Sequence, residues 1–311
     1  MSEKKNVAVL GAGKMGLGIA QLFAMRGHEV KVIFVTRRRD VMPTIHGNLN
    51  VLVENEVLTE KERDAAEARI SFVDSIEEIV GFADIVFESI IEDLAVKQEY
   101  FAKMDELLPV STILATNTSA ISITEIAEKS VHKERIIGTH FWNPAYLIPL
   151  VEVIRTVYVS DEIVTNTYNL LAEAGKKPCI VKKDVPGFLA NRMQHALFRE
   201  ALSIVENDIA DPQDVDDAIR YGFGMRLGVC PPITVMDMGG LDLTYSIHNY
   251  LFPHIENSTE PLPILKEHLD KGELGFKSGK GIMDWPQEKI DAANRDLSEG
   301  LIKVAKALDR L

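Results

Sequence analysis

Three glycines constrain this chain more than any other feature. Gly11-Ala12-Gly13-Lys14-Met15-Gly16 matches G-x-G-x-x-G and stands directly between a run of β-formers, Asn6–Leu10, and a helix-periodic segment, 14–26. In such a turn the first glycine permits a tight bend. The second lets backbone approach a pyrophosphate, and the third lets the helix pack on the sheet. The free N–H groups and dipole at the helix N-terminus then face the phosphates. The motif implies a dinucleotide held at Gly11, Gly13, Lys14, Met15 and Gly16, with an ordinary structural turn as the alternative. A bend at Gly27-His28-Glu29 and a second strand at 30–35 complete a unit of about 30 residues, the size of a βαβ module.

The alternation continues. Strands read at 83–87, 112–115 and 135–139, with helices at 96–108 and 123–129. This order predicts an α/β fold, a doubly wound parallel sheet covered on both faces by helices. After Val181-Lys182-Lys183-Asp184-Val185-Pro186-Gly187 the character changes, and helical patterns dominate at 188–206, 214–221 and 233–251. Residues 1–185 are therefore expected to form a Rossmann domain, and 186–311 an all-helical domain.

Charge narrows the partners. A net charge of −13 repels nucleic acid and anionic membrane, so neither is an expected partner, and an anionic ligand needs a local site. Two cysteines, Cys179 and Cys230, make a disulfide framework improbable by number and fit a reducing compartment. The apolar stretch that ends at Gly11 is too short for a signal peptide core or a membrane span. A cytoplasmic location is expected.

At the end of the second strand, where an acidic residue usually accepts hydrogen bonds from the adenosine ribose, the chain reads Phe34-Val35-Thr36-Arg37-Arg38-Arg39. Phe34 offers no acceptor. A threonine hydroxyl and arginines can bind a 2′-phosphate that a carboxylate would repel. Thr36, Arg37 and Arg38 thus point to NADP(H) over NAD(H), and a solvated basic loop is the alternative.

Glu152 stands inside Leu150-Val151-Glu152-Val153-Ile154, an apolar run where a carboxylate is costly unless paired. Shortly before it a strand ends at Thr139-His140. If the two segments lie side by side, Glu152 holds one imidazole nitrogen and leaves the other for proton transfer. A satisfied structural histidine is the alternative. Asn117-Thr118-Ser119 closes the strand at 112–115, at the edge where open α/β sheets place ligands, or serves as a polar turn and helix cap. Asn191, on an otherwise apolar helix, is either a core or capping amide or faces the cleft.

With these residues in register the chain resembles the 3-hydroxyacyl-CoA dehydrogenases. The stretches that carry the resemblance are GAGKMGLGIA, FESIIEDLAVK, ATNTSAISI, RIIGTHFWNP, LVEVI, VPGFLANR and GFKSGKGIMDW, in the family's order along nearly the whole chain. The resemblance implies that His140 is the catalytic acid/base and Glu152 its orienting partner. It implies that Ser119 and Asn191 hydrogen-bond the substrate oxygen or position the histidine, and that Glu92, Lys97 and Asn117 lie near the cofactor. It also implies a small-molecule substrate and a helical domain that builds a homodimer.

Two departures stand out. One is the missing acid after the second strand. The other is the segment 49–70, where the family tends to carry lysines that meet the phosphates of CoA. Here Glu54-Asn55-Glu56-Val57 is acidic. A 3-hydroxyacyl-CoA substrate and a small CoA-free one, such as a hydroxy acid, carnitine or a hydroxymethyl or formyl pyridine carboxylate, both stay open. The competing classes are a non-catalytic relative, since a similar fold occurs as an abundant lens protein, and a nucleotide-sensing regulator. The first conflicts with the intact Ser119, His140, Glu152 and Asn191 set. The second lacks a recognisable DNA-binding segment. For the dimer, Ile233, Met236, Gly240 and Leu243 are expected on one face of a continuous helix.

Overall fold

A computed structural model describes residues 4–310. The chain divides into two compact units, one ending at Asn191 and the other spanning Arg192–Asp309. The first unit is built on a single eight-stranded sheet. Its strands are β1 (Asn6–Leu10), β2 (Glu29–Ile33), β3 (Ile70–Val73), β4 (Ile85–Glu88), β5 (Ile113–Thr116), β6 (Ile136–Phe141), β7 (Leu150–Ile154) and β8 (Lys177–Val181), in the order β3-β2-β1-β4-β5-β6-β7-β8. β1 to β6 run parallel, whereas β7 is antiparallel to β6 and parallel to β8. The expected parallel sheet thus holds for six strands and reverses at the seventh. The physical reason is the short link 142–149, because a parallel return needs a crossover of roughly a dozen residues or more.

Helices α1 (Lys14–Met25), α2 (Met42–Glu54), α3 (Glu60–Ala68) and α4 (Leu94–Leu107), a short α5 (Ile123–Ile126) and the longer α6 (Asp161–Glu173) accompany the sheet. β4 and β5 are buried along their whole length, as central parallel strands are when both faces are covered. Ala8, Leu10, Ile33, Val86 and Leu114 of the strands pack in one core with Phe101 and Met104 of α4. Polar residues set the helix starts: the Thr59 side chain accepts from the Glu62 N–H, Asp93 from Val96, and Ser160 from Ile163.

The entry to β6 is pinned from inside. Arg135, 1% exposed, donates from Nε and Nη2 to Asp105 Oδ1 at 3.0 and 2.6 Å. Its Nη1 reaches the carbonyls of Leu108, Pro109 and Thr112. One guanidinium therefore joins α4, the loop after it and the strand that carries His140.

The second unit is helical: α7 (Ala190–Glu206, which begins in the first unit), α8 (Pro212–Tyr221), α9 (Phe223–Leu227), α10 (Pro232–Gly239), α11 (Leu241–Leu251), α12 (Pro263–Asp270) and α13 (Gln287–Ala307). The continuous helix expected over 233–251 is two helices. Gly240 between them has φ +92°, outside helical backbone, so Ile233, Met236, Gly240 and Leu243 do not form one stripe. Only Ser203, Val215, Leu262, Gly281 and Ile302 are buried in the whole second unit. No helix among the described residues is long and apolar enough to cross a membrane, and both cysteines are free.

Candidate active site

The sheet order reverses beside β1, whose two neighbours are β2 and β4, and the glycine turn sits at that switch point. Gly11 has φ +113°, and a Cβ on it would lie 2.4 Å from the Ser89 carbonyl oxygen at the end of β4. A Cβ on Gly16 would lie 1.9 Å from the Gly11 oxygen, so α1 approaches the turn as closely as backbone allows. Gly13 differs. A Cβ there would meet no protein atom within 4 Å, so internal packing does not call for glycine. The space it leaves lies at the N-terminus of α1, which has no side-chain cap and no acid in its first turn. Uncapped N–H groups around Gly13, Lys14 and Met15, with a cradle that a Cβ would fill, fit a bound pyrophosphate.

Beyond β2, Phe34 is buried with its ring centroid 5.7 Å from that of Phe72. Thr36, Arg37, Arg38 and Arg39 are all exposed. Arg38 pairs with Asp74 at 3.1 Å and lies over the Phe34 ring. Arg39, passed over in the sequence because it follows the strand at a distance, donates to the Ala12 carbonyl at 3.2 Å. The loop curls back, so the last arginine of the three touches the glycine turn.

At the other site β6 and β7 pair with His140 directly opposite Glu152. Opposed residues of an antiparallel pair face the same side of the sheet. His140 Nδ1 is 2.7 Å from Glu152 Oε2, and the Trp142 indole N–H donates to the same oxygen at 3.3 Å. Glu152 Oε1 accepts the N–H groups of Leu189 and Ala190, each at 2.9 Å, at the start of α7. Glu152 has no exposed surface and His140 only 5%. Burial pushes the Glu152 carboxyl up, but the hydrogen bonds from His140, Ala190 and Leu189 outweigh it and hold the group below its ordinary value. An ionised carboxylate can only accept, so the proton between them belongs to Nδ1, and His140 Nε2 keeps its lone pair when the ring is neutral.

Asn117 follows β5 and ties it to β6, its Oδ1 accepting the Phe141 N–H at 2.8 Å next to His140. Ser119 lies exposed on the following loop, and its carbonyl accepts from Asn191 Nδ2 at 3.1 Å. Glu92 Oε1 accepts from Thr118 Oγ1 at 2.5 Å and from the N–H groups of Ser119 and Ala120 at 2.9 and 3.2 Å. Lys97 points inward: it is 1% exposed, with Nζ 2.6 Å from Glu88 Oε1 and 3.4 Å from Glu92 Oε2. The structure thus gathers Asn117, His140 and Glu152 in one hydrogen-bonded region and links Ser119 to Asn191, Glu92 and Lys97. Glu88, Thr118 and Trp142 escaped the sequence reading. Glu88 was detectable, since an acid in the apolar run Ile85–Glu88 carries the same signal as Glu152 in Leu150–Ile154.

A glycine cradle at a sheet switch point and a buried histidine–carboxylate pair on the same sheet define a dehydrogenase of the Rossmann class, dependent on a nicotinamide dinucleotide. Residues 6–185 match the NAD binding domain of 3-hydroxyacyl-CoA dehydrogenase, and residues 187–285 match its C-terminal domain. The chain belongs to the 3-hydroxyacyl-CoA dehydrogenase family. It is 31% identical, over 98% of both chains, to 5-formyl-3-hydroxy-2-methylpyridine 4-carboxylate 5-dehydrogenase of Mesorhizobium japonicum. It is 37% identical, over 92% of this chain and 99% of the other, to a probable 3-hydroxybutyryl-CoA dehydrogenase of Bacillus subtilis. Among solved structures, an NAD⁺-dependent 5-formyl-3-hydroxy-2-methylpyridine 4-carboxylic acid 5-dehydrogenase superposes with a TM-score of 0.86 at 30% identity, covering 99% of each chain. The (S)-3-hydroxybutyryl-CoA dehydrogenase of Ralstonia eutropha superposes at 0.75 and 30% identity, covering 92% of this chain and all of that one.

The geometry around Glu152 has a stability consequence. Glu152→Ala leaves two backbone N–H groups, an indole and an imidazole without their acceptor, and should cost roughly 3–5 kcal/mol in urea unfolding. Glu152→Gln keeps an acceptor oxygen and should cost less. Because the folded carboxyl lies below its ordinary value of 4.5, its contribution is complete above that pH and is lost as pH falls through the folded value. The parent should therefore lose stability on acidification more steeply than Glu152→Gln. Equal acid slopes would show that the carboxylate is not held in this way.

Proposed function

We propose that this enzyme interconverts a secondary alcohol and a ketone on a 3-hydroxyacyl-CoA or a related hydroxy acid, with His140 and Glu152 as the proton-handling pair. The observation that carries the reading is the 2.7 Å hydrogen bond that commits His140 Nδ1 to Glu152 and leaves Nε2 to act. A bound nicotinamide dinucleotide supplies the hydride acceptor. His140 Nε2 takes the hydroxyl proton as the carbon–hydrogen bond breaks, and Glu152 stabilises the imidazolium that results. Ser119 and Asn191, tied to each other at 3.1 Å, orient the reacting oxygen or the ring. Residues 1–185 hold the dinucleotide, and 186–311 serve substrate binding and dimerisation, in the reducing cytoplasm that two free cysteines suit.

One observation favours a smaller, CoA-free substrate within this reading. Glu54 and Glu56 lie exposed at the turn between α2 and α3, and they repel the phosphates of CoA. The end-to-end match to a pyridine carboxylate dehydrogenase supports the same side. For the cofactor, the buried Phe34 offers no acceptor to ribose hydroxyls, and Thr36 with Arg37, Arg38 and Arg39 forms a cationic rim. These features support a preference for NADP(H), with NAD(H) also used. For assembly, the second unit leaves Met225, Val229, Ile233, Met238, Leu241 and Tyr250 more than 60% exposed while burying few residues of its own. A helical unit with so little core is completed by a second copy.

Three measurements follow. His140→Ala should lose about 10³-fold or more in kcat, an upper range for general acid–base catalysis, with cofactor affinity within about twofold. Turnover is assayed with 3-hydroxybutyryl-CoA and with free 3-hydroxy acids, and near-parental turnover in His140→Ala would exclude the mechanism. For the cofactor, kcat/KM should favour NADPH, and Arg37→Ala with Arg39→Ala should cut the NADPH value by about ten- to a hundredfold while sparing NADH. A parent that favours NADH would mean the arginines are only a solvated rim. Sedimentation at micromolar concentration should show a dimer, and Ile233→Glu with Leu241→Glu should weaken it. A monomeric parent would remove the second copy from the proposal.

A further inference from the structure

Among the described residues, four other than glycine have left-handed backbone: Glu56, Phe188, Asp208 and Asp309. Three are exposed acids, whereas Phe188 is an aromatic residue only 2% exposed. Its φ is +48°, a conformation that a Cβ makes costly and that glycine adopts freely. The turn before it does not call for phenylalanine. Val185-Pro186-Gly187-Phe188 has proline and glycine at its centre, as a type II turn prefers, and the Phe188 N–H donates to the Val185 carbonyl at 3.0 Å. Directly after it, Leu189 and Ala190 both donate their N–H groups to Glu152 Oε1, each at 2.9 Å.

The Phe188 side chain lies in the core of the sheet unit with Ile123, Ile136 and Ile154. Its ring centroid is 5.7 Å from that of His140, with the two planes inclined by 57°. Trp142 meets the same imidazole at 5.5 Å and 59°. The hydrogen bond to Glu152 fixes where Nδ1 sits, but one bond leaves the ring plane free to turn about it. The χ2 preference of histidine is broad, so neighbouring groups have to set that plane. A glycine at 188 would make the same backbone turn without strain, so what phenylalanine adds is the ring. Strain of this kind persists where the surroundings over-determine it, and here the surroundings include both His140 and Glu152.

We propose that Phe188 is a positioning residue for the proton-handling pair: its ring sets the plane of the His140 imidazole, and its left-handed backbone aims the next two N–H groups at Glu152. This rests on the dehydrogenase reading above, in which His140 Nε2 takes the hydroxyl proton. One residue of the turn that leads into α7 thereby holds both members of the pair. Three residues further on, Asn191 ties the same segment to the Ser119 carbonyl.

Phe188→Leu is the working variant, because it keeps most of the apolar volume but not the flat ring. Phe188→Ala and Phe188→Gly test the backbone. In urea unfolding the glycine variant should be the more stable of these two, the reverse of the usual order, because alanine keeps the strain and glycine relieves it. Should both fail to fold, the leucine variant carries the remaining readouts. The imidazole N–H that Glu152 accepts is followed by proton NMR and identified by its absence in His140→Ala. Its exchange with water should quicken by about tenfold in Phe188→Leu, a readout that needs no substrate. Turnover is measured with whichever probe, 3-hydroxybutyryl-CoA or free 3-hydroxybutyrate, the parent oxidises. There kcat should fall by about tenfold or more in Phe188→Leu, with NADH and NADPH dissociation constants within about twofold. In a His140→Ala background the same substitution should change the residual kcat by less than about twofold, because Phe188 acts through the ring. Unchanged proton exchange, an alanine variant at least as stable as the glycine variant, or the same loss of kcat with and without His140 would each overturn the proposal. If the parent oxidises neither probe, the dehydrogenase reading is what fails on those substrates, and proton exchange and unfolding still decide whether Phe188 holds the pair.

Discussion

Glu152 carries a carboxylate into the middle of a sheet, where solvent cannot compensate it, and its two oxygens are met by donors from three directions. His140 comes from the adjacent strand, Trp142 from the loop beyond it, and Leu189 and Ala190 from the start of α7. Remove that group and each of those segments keeps a buried donor without a partner, which costs more than the bonds contribute net when made. The same atoms that stabilise the fold therefore fix the imidazole tautomer. Structure and chemistry are coupled at one residue.

Burial makes that coupling directional. In water a histidine–carboxylate pair would be weak and mobile, because both groups have water as an alternative partner. With Glu152 fully buried and His140 nearly so, the hydrogen bond has no such competitor, and the ring orientation is set before any ligand arrives. Hydrogen bonds outweigh desolvation at Glu152, so its charge persists and the Nδ1 proton stays in place. At the end of β4, Glu88 uses the same device with a lysine in place of a histidine. There the partner is Lys97, whose Nζ lies 2.6 Å from Glu88 Oε1, and the pair ties α4 to the end of β4.

The two units contrast in how they reach stability. The first buries whole strands and nearly all of α1 between layers, and its charged interior residues, Glu88, Lys97, Arg135, Glu152 and Lys176, each have a hydrogen-bonding partner. The second unit, by contrast, shows large apolar side chains on α10 and α11 and an interrupted helix at Gly240. Its helices bury far fewer side chains within the chain than those of the sheet unit do.

Sequence alone determined what depends on local spacing and on residue type. The glycine turn, the alternation of strands and helices, and the shift to helices after 186 are legible because period and turn chemistry act within a few residues. Glu152 was legible as an anomaly, an acid in an apolar strand, and the same logic applied to Glu88 would have exposed the second anchor. Other features are decided only when distant segments meet. The reversal at β7 places His140 opposite Glu152, a matter of register between strands rather than of either strand's composition. The fold-back of the loop after β2 brings Arg39, the farthest of three equivalent arginines, to the glycine turn. The resemblance implies only that Lys97 lies near the cofactor, and packing is what sets it between two carboxylates. Local pattern fixes which way a side chain points along its own element, but its partner is set by tertiary contact, and for a buried charge the partner determines the role.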